Sequence, residues 1–272
     1  MSSLLLPIGR PMPTMLRNAV RSFGSSTADR KNFVSRILDR YESPTEQQNP
    51  PRETVYEMQF HHLRPGQIEN YLHAAEEELP RITENEAIPR HLLASWTVDI
   101  GAQDTAIHLW SYPAGFKAVH EAKKVLGEDK QYVAYIRRQA ELMRDRRNQI
   151  LVEFSFWNCE DMMASCEPGG IFELRSYQLK PGTLMDWGHE WSRGIVKRMD
   201  AQDKPVGGWY SQIGDLYMVH HLWSYQNLQI RKEVRESAWQ QPGWEEVVAR
   251  TVPLVRWMES SILTPTSYSP LR

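Results

Sequence analysis

His108-Leu109-Trp110-Ser111-Tyr112 returns in this chain as His221-Leu222-Trp223-Ser224-Tyr225. The surroundings return in step. Trp96, Ile100 and Gly101 precede the first copy at the distances at which Trp209, Ile213 and Gly214 precede the second. Further upstream, Val55-Tyr56-Glu57-Met58 with Leu63-Arg64-Pro65-Gly66 is echoed by Ile171-Phe172-Glu173-Leu174 with Leu179-Lys180-Pro181-Gly182. An offset of about 113 to 116 residues holds from end to end, so the chain reads as a duplicated unit. Each copy is long enough to be a domain of its own.

Outside the copies the chain is punctuated by composition. Residues 1–30 carry Arg10, Arg17, Arg21 and Arg30 with no acid before Asp29, and Met15-Leu16, Ala19-Val20 and Phe23 supply an apolar face. That is the pattern of a mitochondrial presequence. Residues 31–53 form a linker arm containing Ser43-Pro44 and Asn49-Pro50-Pro51. The copies then occupy 54–158 and 170–272, joined by 159–169. At 272 residues with a net charge of −2, nothing in the charge points to a nucleic-acid partner. No apolar run reaches the length of a membrane-spanning helix. The two cysteines, Cys159 and Cys166, fit free thiols in a reducing compartment, with a local disulfide or half of a metal site as alternatives.

Within each copy, periodicity predicts β-α-β-β-α-β, a ferredoxin-like unit. In the first, strands are expected at 55–63, 93–100, 106–112 and 151–156. A helix carries Ile68, Tyr71, Leu72, Ala75 and Leu79 and stops at Pro80. A second helical region breaks near Gly127 and continues through Tyr132, Ile136, Ala140 and Met143. Arg137, Arg138, Arg144, Arg146 and Arg147 then make a basic helix end, a solvated face or an anionic-lipid contact. In the second copy strands are expected at 171–179, 209–213 and 216–225. Trp187 and Trp191 stripe one helix, and the last helix runs from Trp244 to Met258 with a kink at Pro253 before a short strand at 262–264.

The predicted fold class is α+β: two tandem ferredoxin-like repeats pressing their sheets together as a dimeric α+β-barrel. Strand alternation separates Tyr56, Met58 and Phe60 from Glu57, Gln59 and His61, and Ile107 and Leu109 from His108, Trp110 and Tyr112. The apolar sets are expected against the helices. The polar–aromatic sets are expected inside the barrel, in a cavity lined by Glu57, His61, His108, Trp110, Tyr112, Glu173, Arg175, His221, Trp223 and Tyr225. Such a cavity reads either as a ligand or catalytic site or as a self-satisfied network, with Arg175 paired to Glu173 or Glu57 and the histidines hydrogen-bonded to Tyr hydroxyls. Recurrence of the same residues in both copies favours the network. His61-His62 and His220-His221 are neighbours on strands, so each pair points to opposite faces and a metal site is not expected. No cofactor motif is present.

Longer motifs carry a family resemblance. They are Arg146-Arg147-Asn148-Gln149 with Leu151-Val152-Glu153-Phe154-Ser155-Phe156-Trp157, Glu173-Leu174-Arg175-Ser176-Tyr177-Gln178-Leu179-Lys180-Pro181-Gly182-Thr183, and Thr251-Val252-Pro253-Leu254-Val255-Arg256. Through these the chain resembles the NipSnap family of mitochondrial proteins from about residue 53 to its end. The resemblance implies a mitochondrial location, in the matrix or membrane-associated, and no established catalytic residues. It also implies action through protein partners in mitochondrial quality control, with autophagy receptors or adaptors as the partners and a link to vesicular transport. The alternative is a small-molecule or haem-binding, monooxygenase-like enzyme using His108 or His221 with Trp110 or Trp223. A homo-oligomer is compatible with exposed strand edges.

Overall fold

The structure, a computed structural model, describes residues 53–157, 159, 163, 166, 169–199 and 204–272. The expected presequence, the linker arm up to Arg52 and most of 159–169 lie outside the described residues. Glu53–Arg272 forms one compact unit.

The elements run β1 (Val55–Leu63), α1 (Ile68–Glu84), β2 (His91–Ile100), β3 (Thr105–Tyr112), α2 (Gly115–Glu128), α3 (Lys130–Leu142) and β4 (Met143–Glu153). The order then repeats as β5 (Ile171–Leu179), α4 (Leu184–Arg198), β6 (Lys204–Ile213), β7 (Met218–Tyr225), α5 (Leu228–Trp239), α6 (Trp244–Thr251) and β8 (Val255–Pro265). The eight strands close a barrel in the order β1-β3-β2-β8-β5-β7-β6-β4. Closure depends on the two long last strands. β4 lies along β1 from Tyr56↔Leu151 to Leu63↔Met143 and reaches β6 with its end, Ile150 to Glu153. β8 lies along β5 and reaches β2 through Ile262 to Pro265.

Local sequence explains most boundaries. Pro65-Gly66 and Pro181-Gly182 turn the chain after β1 and β5, and Gly66 and Gly182 adopt φ of +77° and +87°, where a side chain would be strained. Asp129 separates α2 from α3 and caps α3, accepting from the amides of Gln131 and Tyr132. Pro80, where the sequence predicts the first helix to stop, lies inside α1. The lost amide removes one hydrogen bond, and burial of Leu79 and Ile82 on the sheet carries the helix on to Glu84.

Two expectations fail at the last strands. Met143, Arg144, Arg146 and Arg147 belong to β4, not to a helix end, and Val255 and Met258 belong to β8. The helical period ran into strand sequence, and pairing with β1 and β5 overrode it. Pro253 does not kink a helix: α6 ends at Thr251 and a single 3-10 turn, Val252–Leu254, leads into β8.

The face assignment is also reversed. The apolar strand faces point into the barrel. Met58, Trp96, Leu109, Phe172, Trp209, Leu222 and Leu263 are all at most 1% exposed there, and ring contacts cross between the halves from Tyr56 to Trp209 (5.7 Å), Phe60 to His220 (6.0 Å) and Trp96 to Phe172 (5.8 Å). Trp110 and Tyr112 instead join the cluster of α1, α2 and α3 side chains, with Tyr71, Ala75, Ala118 and Ala122. Closure makes the interior the drier side, so the apolar sets go in. The polar–aromatic sets sit under the helices, where margins and clefts let polar groups reach partners or water.

Candidate functional site

The ten residues expected to share one cavity form two clusters, one on the outer face of each half. Glu57, His61, His108, Trp110 and Tyr112 lie between the sheet and α1–α3. Glu173, Arg175, His221, Trp223 and Tyr225 lie in the equivalent place under α4–α6. Cross-strand register brings each set together: Glu57 faces Trp110 and Arg175 faces His221.

In the first half the centre is the Glu57 carboxylate, 4% exposed. The Tyr112 hydroxyl donates to its Oε2 (2.5 Å), and Gln59 Nε2 (3.0 Å) and Asn148 Nδ2 (2.5 Å) donate to Oε1. Burial pushes this carboxyl up, but these three hydrogen bonds and the charge of Arg90 outweigh it and hold it below the usual range. Arg90 is 4% exposed and lies over the Trp110 ring, 4.0 Å from its centroid. Beside this centre runs a chain of hydrogen bonds: His61 Nδ1 to the Tyr71 hydroxyl (2.5 Å), Tyr71 to His108 Nε2 (2.7 Å), and His108 Nδ1 to Ser95 Oγ (2.9 Å). Burial lowers His61 to about 4 and His108 well below its ordinary value, so both imidazoles are neutral at pH 7. Neutral rings and one hydroxyl proton permit two concerted arrangements of the chain, and each His alternates between donor and acceptor toward Tyr71. His62, pointing the other way, bonds Thr105 Oγ1 at 2.9 Å.

Tyr71→Phe removes both bonds at the centre of this chain and leaves His108 Nε2 buried without a partner. The expected cost is about 1–3 kcal/mol, read as the difference in urea unfolding free energy. A loss below roughly 0.5 kcal/mol, the size of a surface substitution, would mean the chain is not formed.

The second half has the same frame with different chemistry. Glu173 is fully buried and takes a two-pronged contact from Arg231 (2.9 and 2.7 Å), a bond from Arg175 Nη1 (2.8 Å) and one from Ser260 Oγ (2.6 Å). Burial raises this carboxyl, and the two arginines and Ser260 more than reverse it, holding it well below the usual carboxylate range. Arg198 lies 4.3 Å over Trp223 as Arg90 does over Trp110. His221 is walled by rings: Trp191 stacks on it at 4.7 Å, with Trp187, Tyr177 and Trp157 within 5.6 Å. Among the described residues neither of its nitrogens has a hydrogen-bond partner. Gly208 permits this packing, since a Cβ there would stand 2.4 Å from the Trp157 ring.

A cleft of about 610 Å³ opens in the first half, lined on the sheet side by Glu57, Gln59 and His61 and on the helix side by Leu126, Tyr132 and Ile136. His108 and Trp110 do not line it. Sequence reasoning did not single out Tyr71, Arg90, Asn148 and Arg231. Tyr71 was hidden in an apolar helix stripe, where its hydroxyl was the one available signal. Arg90, Asn148 and Arg231 become site residues only through tertiary contact.

With this geometry in hand, relatives can be placed. The NIPSNAP family model matches residues 56–157 and 172–270. The chain is 44% identical over 218 residues to Protein NipSnap homolog 2 of Homo sapiens, covering 80% of this chain and 75% of that one. It is 39% identical over 260 residues to Protein NipSnap of Drosophila melanogaster, covering 93% and 94%. Among solved structures, an anthrone oxidase-like protein superposes with a TM-score of 0.59 at 10% identity, covering 80% of this chain and 93% of that one, a likeness of fold alone. The conclusion drawn from sequence and fold together is that the chain belongs to the NIPSNAP family.

Proposed function

We propose that this protein is a duplicated ferredoxin-like barrel that acts in mitochondria by binding other proteins, marking damaged organelles for autophagy receptors or adaptors. The duplication reading is supported by the repeated element order, by separate family matches to the two halves, and by the reciprocal closure of β4 on β6 and β8 on β2.

The observation that favours binding over catalysis is the state of the two histidines that the enzymatic alternative requires. Both nitrogens of His108 are held by Tyr71 and Ser95, and His221 is enclosed by aromatic rings. Neither offers a nitrogen to a haem or a substrate phenol. The conditional step in the proposal is import. The arginine-bearing arm at 1–30 needs membrane potential to enter the organelle, so loss of potential leaves the barrel outside, where partners reach it.

The test is protease protection in intact and depolarised cells. Depolarisation is expected to turn the protected protein into a protease-sensitive form that crosslinks to autophagy adaptors. A protein that stays fully protected inside depolarised mitochondria would overturn the reading.

A further inference from the structure

We propose that the first-half cleft binds an amphipathic organic anion: an apolar chain or ring bearing a carboxylate or phosphate head. The inference stands apart from the partner-binding reading and can fail without it.

The two halves differ around the buried glutamate. α5 begins at Leu228 where α2 begins at Gly115, so Ala118 and Ala122 of α2 occupy the places of Arg231 and Arg235 of α5. In the second half Arg231 fills the space over the sheet and neutralises Glu173. In the first half both positions are alanines buried in the core cluster, and α2 carries no arginine to reach Glu57. Glu57 is held instead by the neutral donors of Tyr112, Gln59 and Asn148, and it lines a cleft of about 610 Å³. That volume lies in the range of sites that enclose small organic molecules.

The lining has two parts. Leu126, Val133 and Ile136 from α2 and α3 form an apolar wall. Lys123, Arg137 and Arg146 surround it, and among the described residues none of the three is in an ion pair. The one carboxylate of the lining, Glu57, is 4% exposed and already holds three donors. Three uncompensated cations around an apolar wall attract a head of negative charge and an apolar body. A second, independent feature points to a ligand. Arg90 lines the same cleft and is 4% exposed, and among the described residues its Nε–H has no acceptor. A buried donor left unsatisfied is costly, and an oxygen on the ligand body would satisfy it. The head then stays at the cationic rim, away from Glu57.

The experiment is calorimetric titration of the full chain with sodium octanoate, with octanol, with inorganic phosphate, and with vesicles of phosphatidylcholine containing phosphatidylserine. Octanoate is expected to bind one site, with octanol weaker by about tenfold because it lacks the head charge, and phosphate alone weaker still. Arg137→Gln combined with Arg146→Gln, both exposed positions, is expected to weaken octanoate about tenfold with no change in unfolding midpoint. Equal binding of octanoate and octanol, octanoate affinity unchanged in the rim variant, or binding of vesicles without octanoate would each overturn the proposal.

Discussion

Glu173→Gln is expected to lower the unfolding free energy by about 3 kcal/mol at pH 7, the low end of the cost of breaking a buried ion pair from one side. Glu173 is fully buried, and Arg175 and Arg231, 15% and 24% exposed at the side chain, have it as their shared carboxylate. Neutralising it leaves two poorly solvated guanidinium groups facing each other with no anion. The effect has a pH signature. Glu173 ionises in the folded protein well below its ordinary value of 4.5, so it contributes stability that is fully present above pH 4.5 and is lost as pH falls toward the folded value. The gap between the native protein and Glu173→Gln should therefore be widest at neutral pH and shrink steadily below pH 4.5. The buried histidines act in a different window. His61, lowered to about 4 from 6.5, and His220, lowered to about 3, cost stability as pH falls from 6.5 through those values, in native protein and variant alike. Urea unfolding at pH 7, 5 and 3 separates the two. A gap as large at pH 3 as at pH 7 would show that the ion cluster is not the source of the loss.

The second large effect is expected from Trp187→Ala, at about 3–5 kcal/mol. Trp187 is 2% exposed and contacts Trp191 at 5.6 Å, His221 at 5.2 Å, Tyr177 at 5.9 Å and Phe154 at 6.0 Å between ring centroids. Truncation leaves a void among rigid rings that cannot collapse into it. Water reaching that void would also solvate His221, whose pKa burial now holds well below 6.5, so the imidazole should titrate closer to 6.5 in the variant, as followed by NMR. A loss under about 1 kcal/mol with no movement of the His221 titration would mean that the aromatic wall is not packed as described.

Both predictions rest on differences between two halves that carry matching motifs in sequence. Trp187 stands where the first half has Tyr71, Tyr177 where it has His61, and Arg175 where it has Gln59. One half became an ion cluster under a wall of rings. The other kept a hydrogen-bonded His–Tyr–His chain beside an open cleft. Recurrence of Glu57 and His108 as Glu173 and His221 suggested a common network of an Arg175 ion pair and histidines bonded to tyrosine hydroxyls; the ion pair forms in the second half, and the His–Tyr bonds form in the first, at Tyr71. It did not tell the halves apart, because Arg231 and the difference of Asn148 from Ser260 lie outside the repeated motifs.

The sequence by itself determined the recurrence of its motifs, β1, β5 and both central hairpins, the turns at Gly66 and Gly182, and the family. These are local or repetitive signals: period-two alternation, proline–glycine stops and motifs long enough to align. It also grouped each set of site residues correctly by strand face. Only the tertiary structure decided which way those faces point, because hydrophobic alternation has the same pattern whether the apolar side meets helices or a closed barrel interior. Only the fold could extend β4 and β8 backward into apparent helix, since their partners, β1 and β5, are distant in sequence. And only tertiary contact could separate an ion cluster from an open cleft, because Arg231 reaches Glu173 from α5 while α2 has no arginine to reach Glu57.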